Sequence, residues 1–140
     1  MPRTLLVPVD GSPQSKEALQ YTVETFPDAE LVVVHVLNPA AGVGDIDGMI
    51  ADTAGIISEQ REFAADLFDE AREIVGAERI VDTELLAGRA PSEIVSYAAD
   101  HDVDEIVMGS HGRDGAARLL LGSVSETVVR RSPVPVTVVR

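Results

Sequence analysis

Glycine and serine concentrate in the last third of the chain in a pattern suited to holding phosphate. Met108-Gly109-Ser110-His111-Gly112-Arg113 is followed, after nine residues beyond Gly112, by Gly122-Ser123-Val124-Ser125. Glycine has no Cβ, so main chain at these positions can approach a ligand closely. A helix starting near Ser123 would add unpaired N–H groups and the positive end of its dipole, with the Ser123 and Ser125 hydroxyls as further donors. Lys16 is the only lysine, and no GxxxxGK[ST] segment occurs, so the Walker type of phosphate loop is excluded. Arg113 follows Gly112 directly and is a candidate phosphate contact, more so than Arg118. Asp114 sets a negative charge beside the same cradle, which weakens its grip on phosphate unless a divalent ion is present. His111 as a general base would need a positioned water, and placing the loop backbone is the simpler role. His35, His101 and His111 show no spacing that would build a metal site from protein ligands alone.

Residues of this kind act only if the fold brings them to one edge. Thr4–Val9 is a β-branched apolar run, and Asp10-Gly11-Ser12-Pro13 supplies the turn and cap that start a helix over 13–26. Residues 30–37 read as a second strand, 38–48 as a loop, and 49–75 as one long or broken helix with Gly55 in its first third. A third strand covers 79–87 and a helix runs from Ser92 to about Asp100. A short strand over 105–108 leads into the Gly-rich segment, a helix spans 123–131, and 133–139 closes as a fifth strand. Strands that alternate with helices specify parallel neighbours, hence an α/β doubly wound five-stranded sheet with helices on both faces. Ligands of such sheets bind beyond the carboxyl ends of the strands where the winding reverses. With the reversal between the first and fourth strands, Asp10 and Gly109 flank that crevice. Asp before Gly also closes strands by turn chemistry alone.

Composition narrows the partners. Hydrophobic residues make up 45% but aromatics only 4%, and there is no Trp, so the core is built from Val, Ile, Leu and Ala. That scarcity also argues against a flavin stacked between aromatic rings. With no Cys, disulfides, thiolate metal sites and Cys nucleophiles are excluded. A formal charge of -13 repels polyanions at long range, so neither a nucleic acid nor an anionic membrane is expected as partner. No apolar run nears the roughly 20 residues that span a bilayer, and a cytoplasmic location is expected. The dispersed Asp and Glu suit an acidic, halophilic-type surface. The apolar terminal strand would leave an open sheet edge in a monomer, which a second copy could cover.

Gly109-x2-Gly112-x9-Gly122-Ser123 resembles the nucleotide loop of the ATP-binding universal stress proteins. Leu6-Val7-Pro8-Val9-Asp10-Gly11-Ser12 is similar to their opening strand, and Pro133-Val134-Pro135-Val136 to their closing one. The resemblance extends over nearly the whole chain, taken as one domain over 1–140. It implies strand order 3-2-1-4-5 and a homodimer through the last strand. By position it implies that Pro8, Val9 and Asp10 face the adenosine end of ATP and that Val36 lines the base pocket. Met108, Gly109, His111, Gly112 and Arg113 would wrap the ribose and phosphates, while Gly122, Ser123, Val124 and Ser125 hold the phosphates, with Mg2+ or Mn2+ as companion ion. The expected function is a homodimeric stress-response or signalling module that binds an adenine nucleotide and need not be an enzyme. A slow ATPase using His111 or a metal-bound water, and a nucleotide-free interaction scaffold, are the alternatives.

Overall fold

A computed structural model describes residues 2–38, 53–110 and 122–140. Five parallel strands, β1 (Thr4–Pro8), β2 (Glu30–Leu37), β3 (Ile80–Ala87), β4 (Glu105–Gly109) and β5 (Val136–Val139), form one sheet. Their order is β3-β2-β1-β4-β5, as the resemblance implied, and the winding reverses between β1 and β4. The helices are α1 (Pro13–Thr25), α2 (Thr53–Val75), α3 (Ala90–Asp100) and α4 (Ser123–Arg131).

Both faces of the central strands are covered, which is why they read as continuous apolar runs rather than alternating ones. Leu5 and Val7 join Ala18 and Leu19 of α1 and Ala64, Leu67 and Ala71 of α2 in one apolar layer. Leu6, Val32, Val34, Ile106 and Met108 meet Ile94, Tyr97 and Ala98 of α3 and Val128 of α4 in the other. Leu5, Leu6 and Val7 are wholly buried, each worth about 1.5–3 kcal/mol relative to exposure. That burial fixes the position of the β1 tip.

Several boundaries differ from the sequence expectation for local reasons. Helix α2 ends at Val75 as expected, where Gly76 takes φ +90 and its amide bonds the Arg72 carbonyl at 2.9 Å. A 3-10 turn over Ala77–Arg79 follows, so β3 begins at Ile80. Helix α3 starts at Ala90, two residues earlier than expected, because Pro91 sits comfortably in a first helical turn. Strand β5 starts only at Val136, since Pro133 and Pro135 have no N–H to donate to a ladder. The loop expected over 38–48, apart from Asn38, and the first residues of the helix expected from Met49 lie outside the described residues.

Candidate functional site

The βα junctions of a parallel sheet share one edge, and here they enclose a cavity of about 450 Å³ at the carboxyl ends of β1, β2 and β4. The β1 tip supplies Pro8, Val9 and Asp10. Past it the chain turns sharply at Gly11, φ +83. Asp10 Oδ1 accepts from the Ser12 amide at 2.9 Å, and the Asp10 amide donates to Ser15 Oγ at 3.4 Å. Ser12 Oγ accepts from the Ser15 amide at 3.2 Å and so caps α1. Asp10 therefore does turn chemistry with one carboxylate oxygen and also lines the cavity.

The β4 end supplies Met108, Gly109 and Ser110. The Ser110 carbonyl accepts from the Gly122 amide at 2.7 Å and from Ser125 Oγ, also at 2.7 Å. These two bonds fasten the start of α4 to the end of β4. Ser125 is 2% exposed, so its one hydroxyl proton is engaged within the protein, with the Gly122 carbonyl as a second acceptor at 3.1 Å.

The two helix starts beside the cavity are treated differently. Whereas α1 is capped by Ser12, α4 begins at Gly122 with no side-chain cap. Its first intrahelical bond runs from the Glu126 amide to the Gly122 carbonyl at 2.9 Å, which leaves the preceding amides of the first turn without helical acceptors. Their donors and the dipole give that end of the cavity a local affinity for anions despite the acidic chain. Val36 of β2 and Ala90 and Ile94 of α3 add apolar wall to the same cavity. A cavity with both apolar wall and main-chain donors suits a ligand with a flat head and an anionic tail.

Ten of the site residues expected from sequence line this cavity: Pro8, Val9, Asp10, Val36, Met108, Gly109, Gly122, Ser123, Val124 and Ser125. His111, Gly112 and Arg113 lie outside the described residues. Gly109 serves a purpose the sequence reading did not give it: a Cβ there would lie 2.7 Å from Gln14 Cβ and 2.8 Å from the Gln14 carbonyl carbon. Its bareness lets α1 sit tightly on β4. Sequence reasoning missed Ser12, Ser15, His35, Ala90, Ile94 and Ser110 as lining residues. Ala90 and Ile94 were findable, because the α3 start follows β3 at the same sheet edge as the other junctions.

Two shifted titratable groups lie outside the cavity lining. A hydrogen bond that the protonated Glu84 carboxyl donates to Asp82 raises it above its ordinary 4.5, helped by burial and the Asp82 charge and opposed by His101. Burial first, then the charges of Glu84 and Asp82, raise the Tyr97 hydroxyl above 10.0. Among the described residues no group of three or more His, Cys, Asp or Glu side chains could hold a metal ion, and no helix is long and apolar enough to cross a membrane.

A profile of the Universal stress protein family matches residues 1–140. The chain belongs to the universal stress protein family. A universal stress protein of Methanocaldococcus jannaschii is 32% identical over 141 residues, covering 99% of this chain and 82% of that protein. The solved structure of universal stress protein UspA from Lactobacillus plantarum superposes with TM-score 0.83 at 25% identity, covering 99% of this chain and 97% of the other. An Archaeoglobus fulgidus universal stress protein solved in complex with dAMP has TM-score 0.65 at 22% identity, with 100% and 98% of the two chains covered. The last likeness speaks for the universal stress protein fold alone, and dAMP is that protein's ligand.

Proposed function

We propose that this universal stress protein binds ATP in the cavity, with the base toward Val36 and the phosphates at the start of α4, and acts as a nucleotide-dependent dimeric module. The observation that carries the reading is the uncapped first turn of α4, fastened by Ser110 and Ser125 so that its amides bound the cavity. Preorganised main-chain donors act at short range, so they hold a polyanion that the acidic surface repels from afar. A cavity of about 450 Å³ is within the range of small-molecule and cofactor sites. Asp10, with one carboxylate oxygen engaged by Ser12, keeps the other for a ribose hydroxyl or a companion Mg2+ or Mn2+.

Dimerisation is proposed through β5. Its ladder with β4 uses one side of the strand, and its apolar residues are only half-buried. An open apolar edge invites pairing, and a second copy satisfies it. Sedimentation equilibrium should give twice the chain mass.

The nucleotide reading is tested by melting the protein with ATP, ADP, AMP and GTP. Ligand at a hundred times its Kd stabilises the native state by about 2.7 kcal/mol, a rise of several degrees for a chain of this length. A rise with ATP larger than with GTP supports the proposal, and no rise with any nucleotide rejects it in favour of a nucleotide-free scaffold.

A further inference from the structure

Where β1 leaves the sheet its ladder with β2 stops one bond short, and a side chain takes the missing bond. The Val9 amide donates to the Val34 carbonyl at 2.8 Å. In a parallel ladder the next bond would run from the Val36 amide to the Val9 carbonyl. That carbonyl instead has His35 Nδ1 2.7 Å away, and strand pairing accordingly ends at Pro8 opposite Val34. A carbonyl can only accept, so Nδ1 carries the proton. The ring is braced by Phe63 of α2, edge-on with centroids 5.7 Å apart. Residues 34 and 36 point their main-chain groups the same way along the strand. The Val36 amide and carbonyl therefore face the opening beside β1, with no main-chain partner among the described residues, and Val36 lines the cavity.

We infer that His35 is a positioning residue for the base: its Nδ1–H occupies the Val9 carbonyl, holds the ladder open, and so exposes the Val36 main-chain donor and acceptor to the ligand. This rests on the nucleotide reading of the cavity. A donor and an acceptor on one edge match a 6-aminopurine, whose N1 accepts and whose 6-amino group donates, and a 6-oxopurine seated the same way mismatches because O6 accepts and N1–H donates, the reverse order. Without the imidazole donor, the Val36 amide is free to close onto the Val9 carbonyl, and the base-reading edge disappears while the α4 start is untouched.

Two variants separate the donor from the bulk. His35→Asn places an amide N–H near the Nδ1 position, whereas His35→Leu keeps an apolar volume and no donor. Affinities are measured for ATP, GTP and inorganic tripolyphosphate, with amide hydrogen exchange recorded on the ligand-free proteins. Expected for His35→Leu is about a tenfold loss of ATP affinity, equal to one hydrogen bond near the top of its usual net worth, with tripolyphosphate affinity unchanged. His35→Asn should stay within about threefold of wild type for ATP. In wild type the Val36 amide should exchange faster than that of Val34, and in His35→Leu it should become protected. Equal losses in both variants, a parallel loss for tripolyphosphate, or full ATP affinity in His35→Leu would overturn the inference. If wild type binds no nucleotide, the nucleotide reading fails by itself, and the exchange result, which needs no ligand, still decides the role of His35.

Discussion

Replacing Gly109 with alanine tests how the cavity wall is built. The new Cβ would sit 2.7 Å from Gln14 Cβ, 2.8 Å from the Gln14 carbonyl carbon and 2.9 Å from its oxygen. Two of those three atoms are main chain in the first turn of α1. That turn is tied down by Ser12, Ser15 and Asp10 through bonds of 2.9–3.4 Å, so it cannot yield as a flexible side-chain end would. Ordinary contact needs roughly half an ångström or more of displacement, and overpacking of this kind costs about 1–3 kcal/mol. Lowering the entropy of the unfolded chain by a Gly-to-Ala change offsets about 0.4–1 kcal/mol. The net loss is about 1–2 kcal/mol, or a fall in Tm of about 4 °C per kcal/mol. Urea unfolding with an unchanged m-value and a lower midpoint checks the magnitude. A Gly109→Ala protein as stable as wild type, or more so, would refute the claim that the missing Cβ exists to seat α1.

Other consequences follow from named contacts. Ser125→Ala removes a buried donor to the Ser110 carbonyl, and since the Gly122 amide still bonds that carbonyl the cost should be about 1 kcal/mol; calorimetry reads it, with ATP affinity falling several-fold as the α4 start loosens. Gly122→Val puts a branched side chain at the cavity wall in a backbone conformation open to any residue, φ -67 and ψ 164; ATP retention should be lost by filter binding while the ligand-free Tm barely moves. The raised Glu84 carboxyl means the folded state holds a proton that the unfolded state has released, so stability should fall as pH rises from about the ordinary 4.5 through the raised value. Asp82→Ala removes the hydrogen-bond acceptor and the repelling charge together and should bring the Glu84 titration down, as followed by carboxyl NMR; an unmoved titration would discount the pairing.

The layout of strands and helices was legible because burial on both faces leaves apolar runs such as 31–34 and 106–108, and because Ser12, Pro13 and the glycines mark where helices begin and end. The cavity walls at the β1 tip and the α4 start were legible for the same reason: parallel topology sends those junctions to one edge. Contacts distant in sequence were not. The His35 side chain takes a carbonyl 26 residues away, and Ser125 one 15 residues away. No local pattern announces either bond. Gly109 read as ligand clearance because a glycine at a strand end looks the same whether it faces a phosphate or another helix. Gly76 gave no sign that its φ of +90 would insert a 3-10 turn before β3.

The central claim is that the first turn of α4 receives the phosphates while the β2 end receives the base. Amide chemical shifts of the isotopically labelled protein, titrated in parallel with ATP, adenosine and tripolyphosphate, test it most directly. ATP and tripolyphosphate should both move the Ser123 and Val124 amides, and ATP and adenosine should both move Val36. Ser123 and Val124 amides that stay still under saturating ATP would contradict the account.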